Sequence, residues 1–229
     1  MIEAVVAGST GLVGSHILST LITSTSTTKV SAYTRRDLPQ QSPKLTPLLS
    51  ADTHTWPSLF PRQSKPVVLF SGLGTTRAQA GSTDAQYKVD HDLNLELAKA
   101  AKEAGVKVYV LISTSGANTN SMMFYPKMKG QLEEDIKALE FEHTVILRPG
   151  LIVGDRTDSR PAEAAIRHIA RAAGKFGDGM KDFWAQDADV IAKAAVHAGM
   201  QCLEGKKTEK GTWLVGQSDI IRLGRTEWN

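Results

Sequence analysis

The chain has 229 residues, 41% hydrophobic and 22% charged, a composition that suits one α/β body with a sizeable core and excludes disorder, collagen and fibre. Lys and Arg number 27 against 24 Asp and Glu, a net charge of +3, with no basic block of five or more, so nucleic acid is not an implied partner. The lone cysteine, Cys202, excludes an internal disulfide or a Cys-based metal cluster and suits a reducing compartment. No apolar stretch reaches the ~18 residues a membrane helix needs, so any membrane contact is expected to be peripheral. Met1 leads straight into a core-like strand, so no targeting extension is expected.

In chain order, short β-branched runs alternate with longer helical patterns, the signature of βαβ units on a parallel sheet. A strand is expected over 2–7, a helix over 12–23 and a second strand over 29–34. Residues 37–66 contain Pro39, Pro43, Pro47, Pro57, Pro61 and Pro66, which forbid a long helix and predict a looping crossover with one short strand near Leu48. Strands at 66–71, 106–113, 143–148 and 212–216 then alternate with helices at 85–104, 126–139, 162–173 and 187–203. In the first of these helices Leu93, Leu97, Ala100, Ala101 and Ala104 recur at helical spacing before Gly105 stops it. Residues 114–124 form a polar loop beyond the carboxyl end of a strand, where a parallel sheet places its ligand crevice. The expected architecture is a doubly wound parallel sheet with helices on both faces, one domain over 1–229, with 150–229 as a small C-terminal substrate-side part.

Three signals carry chemistry. Gly8-Ser9-Thr10-Gly11-Leu12-Val13-Gly14 follows the first strand and opens a helix. Its glycines allow a tight turn and close backbone approach to a pyrophosphate, and the helix N-terminus offers amides to it, which makes this a Rossmann-type dinucleotide turn. At the end of the second strand, where an NAD-binding protein places a carboxylate on the ribose, the sequence reads Tyr33-Thr34-Arg35-Arg36. Arg35 and Arg36 can pair with a 2′-phosphate, so NADP(H) is the expected cofactor. Third, Tyr125 and Lys129 share one face of a helix that starts at Pro126. A nearby ammonium lowers a phenol's pKa, which makes Tyr125 the expected proton donor or acceptor. Ser113, Thr114 and Ser115 end the preceding strand, and any of the three can hold a carbonyl oxygen.

The combination resembles the short-chain dehydrogenase/reductase superfamily, in its atypical branch with a GxxGxxG motif. Leu73-Gly74-Thr75-Thr76-Arg77, Ala80-Gly81, Val89-Asp90-His91-Asp92, Tyr125 to Gly130, and Leu147-Arg148-Pro149-Gly150 with Asp155-Arg156 and Ser159-Arg160 are similar to two related groups. These are the human HIV Tat-interacting oxidoreductase and the fungal found-in-mitochondrial-proteome protein fifty-two. The resemblance covers about residues 3–160, and Tyr87 to Leu95 is most similar to the fungal group. It implies that Thr10, Gly11 and Val13 meet the diphosphate, Arg35 and Arg36 the 2′-phosphate, and Leu73 and Gly74 the adenosine ribose. It further implies Tyr125 and Lys129 as the acid/base pair, and Ile152 and Arg160 closing over the nicotinamide end. The family's second serine falls on Thr114, which can donate the same bond, as can Ser115. Peripheral association with the mitochondrial outer membrane is implied for the fungal group; the composition alone is equally compatible with the cytoplasm.

The expected function is NADP(H)-dependent transfer of a hydride to or from a small carbonyl or alcohol substrate. The alternative is an NADP(H)-binding regulatory or scaffold protein without turnover. The six histidines, His16, His54, His91, His143, His168 and His197, show no metal-ligand spacing, so no metal is expected. His91 between Asp90 and Asp92 reads as a helix surface with paired charges, Trp184 and Phe183 as substrate wall or core, and Cys202 as buried filler. The alanine-rich face of 93–104 serves either sheet packing or pairing of subunits, leaving monomer and homodimer both open.

Overall fold

A computed structural model describes residues 2–154, 182 and 184–228. The β-branched run of β1 (Ile2–Ala7) enters the sheet directly, and α1 (Leu12–Thr23) returns the chain to β2 (Thr27–Thr34). The proline-rich crossover holds the short strand β3 (Leu45–Leu49). Pro47 is accommodated there because β3 is an edge strand, where a missing amide is tolerated. The same crossover packs its Trp56 on Tyr33 with ring centroids 5.1 Å apart.

Beyond it come β4 (Val68–Ser71), the short α2 (Arg77–Ala80) and α3 (Thr83–Tyr87), α4 (Asn94–Glu103) and β5 (Val108–Ile112). Then follow α5 (Phe124–Lys137) and β6 (His143–Leu147). The last part contains β7 (Leu151–Val153), β8 (Ala185–Asp187), α6 (Ala188–Leu203), β9 (Gly211–Val215) and α7 (Gln217–Ile221). The helix expected over 162–173 lies outside the described residues. The single helix expected over 85–104 is interrupted by a π turn at Lys88–Leu93, which joins α3 to α4. Such a turn inserts an extra residue and re-aims the side chains around it.

Seven parallel strands pair in the order β3-β2-β1-β4-β5-β6-β9, with β7 and β8 forming a separate two-stranded sheet. The pleat sorts side chains between two cores. Ala4, Val6, Val108, Val110 and Val145 pack toward α1 and α6, while Val5, Ala7, Tyr109, Leu111 and Ile146 pack toward α4 and α5. Each fully buried Leu or Ile on these faces, Ile17 and Leu132 among them, contributes about 1.5–3 kcal/mol. The chain leaves β1 toward β2 on one side and β4 on the other, so the carboxyl ends of β1 and β4 flank the crevice where such sheets bind ligands.

Candidate functional site

At that crevice lies a cleft of about 440 Å³, lined on one side by Gly11, Leu12 and Val13 and on the other by Gly72 to Thr76, Ile112 to Thr114, Tyr125 and Lys129. The first wall is backbone. Gly8 has φ 81°, and a Cβ there would lie 2.6 Å from the Gly72 carbonyl, while one on Gly14 would lie 2.0 Å from the Gly8 oxygen. The Gly11 amide closes the turn on the Gly8 oxygen at 2.8 Å. No side chain caps α1 at Gly11 and its first turn holds no acid. A helix N-terminus left this open beside a cleft fits an anionic group such as a diphosphate. Ser9 is committed elsewhere, its Oγ donating to the Tyr33 oxygen at 2.6 Å and tying the turn to β2.

The opposite wall is made of buried polar side chains. Asp90, in the π turn, is 1% exposed and accepts the Thr75 amide at 2.6 Å. Burial raises its pKa to about 6, against the opposing pull of Lys129, the Thr75 amide and the Gln86 side chain. Asn94 donates to the Leu73 oxygen at 3.3 Å and the Asp90 oxygen at 3.1 Å and accepts from Ser71. Together Asp90 and Asn94 fasten the Leu73–Thr75 segment. Lys129 is buried and donates to the Ile112 oxygen at 3.2 Å. Burial lowers its pKa, with Asp90 and Glu133 opposing. Glu133 is held by Ser113 and by Arg148, whose Nε lies 3.1 Å from it.

Tyr125 stands at the mouth of the cleft. It keeps 40% of its surface exposed, yet desolvation pushes its pKa up to about 12, with the Asp90 carboxylate adding to the rise. This corrects the expectation that Lys129 lowers it: burial and the nearby carboxylate decide the sign. A second correction concerns His91. It is buried, between Asp92 and Asp135 at 3.0 Å each and stacked on Tyr87, and Asp90 beside it faces the cleft wall instead of solvent.

The fold thus gathers Gly11, Leu12, Val13, Leu73, Gly74, Thr114, Tyr125, Lys129 and Ile152 around one cleft. Of the three hydroxyls, Ser113 donates to Glu133, Ser115 accepts from Gln217 at 3.0 Å outside the lining, and Thr114 faces the cleft. Thr10, Arg35 and Arg36 are exposed beside the turn and at the end of β2, outside the lining. Arg160 and Phe183 lie outside the described residues. Trp184 packs with Leu151 and Val153, and Cys202 is buried. Sequence reasoning missed the Asp90 and Asn94 anchors and the Glu133–Arg148 pair. No local pattern signals them, because each is defined by partners distant in the chain, Asp90 by Thr75 and Lys129 and Glu133 by Ser113 and Arg148.

This sheet order, with a glycine turn at the switch point and polar groups facing it, defines a Rossmann-type α/β protein. The same fold is found in MoeE5, solved in complex with UDP-glucose and NAD, at a TM-score of 0.67 and 17% identity, covering 98% of this chain and 81% of that one. The UDP-glucose 4-epimerase of Thermotoga maritima, solved with UDP-glucose, gives a TM-score of 0.66 at 16% identity, covering 100% and 84%. Sequence narrows the assignment. The chain is 53% identical to the mitochondrial protein fmp52 of Aspergillus clavatus, over 98% of this chain and 99% of the relative. It is 46% identical to mitochondrial fmp-52 of Neurospora crassa, over 96% and 94%. Residues 51–173 match the HIM1 family. The chain belongs to this fmp52 family.

Proposed function

We propose that the chain is an NADP(H)-dependent oxidoreductase of the short-chain dehydrogenase/reductase type, acting on a small carbonyl or alcohol substrate. The observation that carries the reading is that Tyr125, Lys129 and Thr114 line the same cleft as the glycine turn. Gly11, Leu12 and Val13 would hold the diphosphate, and Leu73 and Gly74 the adenosine ribose. Arg35 and Arg36, exposed where β2 ends, are free to reach a 2′-phosphate. The NAD in the MoeE5 structure supports a dinucleotide in this fold.

The reduced cofactor, when bound, supplies the hydride taken up by the carbonyl carbon. Thr114 donates a hydrogen bond to the carbonyl oxygen as it gains charge. Tyr125, kept protonated by burial and Asp90, gives its proton to that oxygen and recovers one from solvent. Lys129, which lines the cleft, would orient the sugar that carries the reactive ring. The relatives are named mitochondrial. No helix among the described residues is long and apolar enough to cross a membrane, and a peripheral place on the mitochondrial outer membrane accords with both.

The test is a screen of aldehydes, ketones and quinones with NADPH, on wild type and on Tyr125→Phe. The variant should turn over about 10²–10⁴-fold more slowly with NADPH affinity unchanged. Equal turnover would remove Tyr125 from the mechanism, and a wild type that binds NADPH but reduces nothing would favour the regulatory or scaffold reading.

A further inference from the structure

The loop between β5 and α5 begins on two residues that line the cleft, Ser113 and Thr114, and leads into a third, Tyr125, in the first turn of α5. Just before Tyr125, outside that lining, the end of the loop and the start of α5 present Met122, Met123 and Phe124, which are 102%, 67% and 40% exposed. Three consecutive large apolar side chains left open to water mark a binding surface more often than chance exposure. The loop is also held in place. The Asn118 amide donates to the Pro126 oxygen at 3.0 Å, the Ser121 amide to the Asn118 oxygen at 3.0 Å and the Met123 amide to Ser121 Oγ at 3.1 Å. Gly130 lets α5 close on it: a Cβ there would lie 2.5 Å from the Asn118 and Thr119 backbone. The apolar lip is therefore a built feature.

The charge pattern narrows what it meets. Among the described residues, Lys129 is the one charged side chain lining the cleft, and it is buried against Asp90 and the Ile112 oxygen. Leu151 and Ile152 also line it. From 113 to 128 the loop and helix start carry a single charge, Lys127, a poor match for an anionic bilayer, which attracts clusters of basic residues. Resting on the reductase reading above, we propose that the substrate is a neutral, apolar carbonyl compound whose hydrocarbon tail lies on the Met122–Met123–Phe124 lip. Methionine suits tails of different length because its unbranched side chain adapts its shape.

The experiment compares kcat/KM for the neutral aldehydes from butanal to decanal with that for equally long aldehydes ending in a carboxylate, in wild type and in Met122→Ser/Met123→Ser. As an independent readout, unreactive alkyl amides of the same lengths are tested for protection of the NADPH-loaded protein against thermal unfolding. We expect kcat/KM to rise about two- to fourfold per methylene, the upper value being full transfer from water. Neutral substrates should exceed carboxylates by at least about tenfold. The double variant should flatten the length dependence while leaving butanal turnover and NADPH affinity unchanged. A flat profile, or a preference for the carboxylates, overturns the substrate class while leaving the reductase intact. Length-dependent protection by the amides without any turnover overturns the reductase reading and supports the apolar tail site. If the double variant keeps the wild-type profile but loses vesicle sedimentation or dimerisation, the lip belongs to a bilayer or a second copy and the proposal falls.

Discussion

The two walls of the cleft are built from different materials. The β1–α1 wall is backbone, and its shape depends on the absence of side chains at Gly8 and Gly14. The wall formed by β4, the π turn and α5 depends on buried polar side chains, Asp90, Asn94, Lys129 and Glu133. A backbone wall fails by collision, locally and whatever the pH. A wall of buried charges fails when one partner changes its protonation or is removed, because desolvation is then uncompensated. The contrast suits a site in which one wall fits a cofactor's invariant phosphates and the other has to manage a proton.

The comparison can be broken most severely at Gly8. Gly8→Ala must give up a φ of 81° or push against the Gly72 carbonyl, and should cost roughly 2–5 kcal/mol in urea unfolding and remove NADPH binding. An Ala variant of wild-type stability and affinity would show that this wall is not steric.

Asp90→Asn probes the other wall through pH. The folded pKa of Asp90, about 6, lies above its ordinary value of 3.8. Its contribution is therefore fully present below pH 4 and lost as pH rises through 6. Relative to wild type the variant should gain on the order of 2–3 kcal/mol between pH 4 and 7. Parallel stability curves for the two proteins would mean that Asp90 is not desolvated. The smallest effect is expected where the walls meet β2. Ser9→Ala loses one buried bond to the Tyr33 oxygen and should cost about 1–2 kcal/mol, with NADPH affinity reduced less than in Gly8→Ala. A larger loss of affinity than of stability would place Ser9 on the ligand.

The backbone wall is the more legible in sequence, and for a physical reason. Its glycines lie within seven residues of one another and sit between a β-branched run and a helical pattern, so β1 and α1 appear at their expected bounds. The polar wall is assembled from residues far apart. Asp90 meets an amide on Thr75 and the charge of Lys129, and nothing in the local pattern Val89-Asp90-His91-Asp92 separates a buried anchor from a solvated pair. The π turn hides for the same reason, since inserting one residue leaves the apolar spacing of Leu93, Leu97 and Ala100 intact. Tyr125 and Lys129 are visible by their spacing, but the direction of the tyrosine's shift depends on Asp90 and on burial, which spacing does not contain. The strands β7 and β8 are three residues each, too short to show alternation.

The most direct test of the central claim is a titration with NADPH and NADH, followed by nicotinamide fluorescence, on wild type and on Arg35→Ala/Arg36→Ala. The account predicts NADPH binding that the double change weakens about 10–100-fold, the worth of one or two charge-assisted phosphate bonds, with NADH little affected. Failure of the wild type to bind either nucleotide would contradict the oxidoreductase reading at its root.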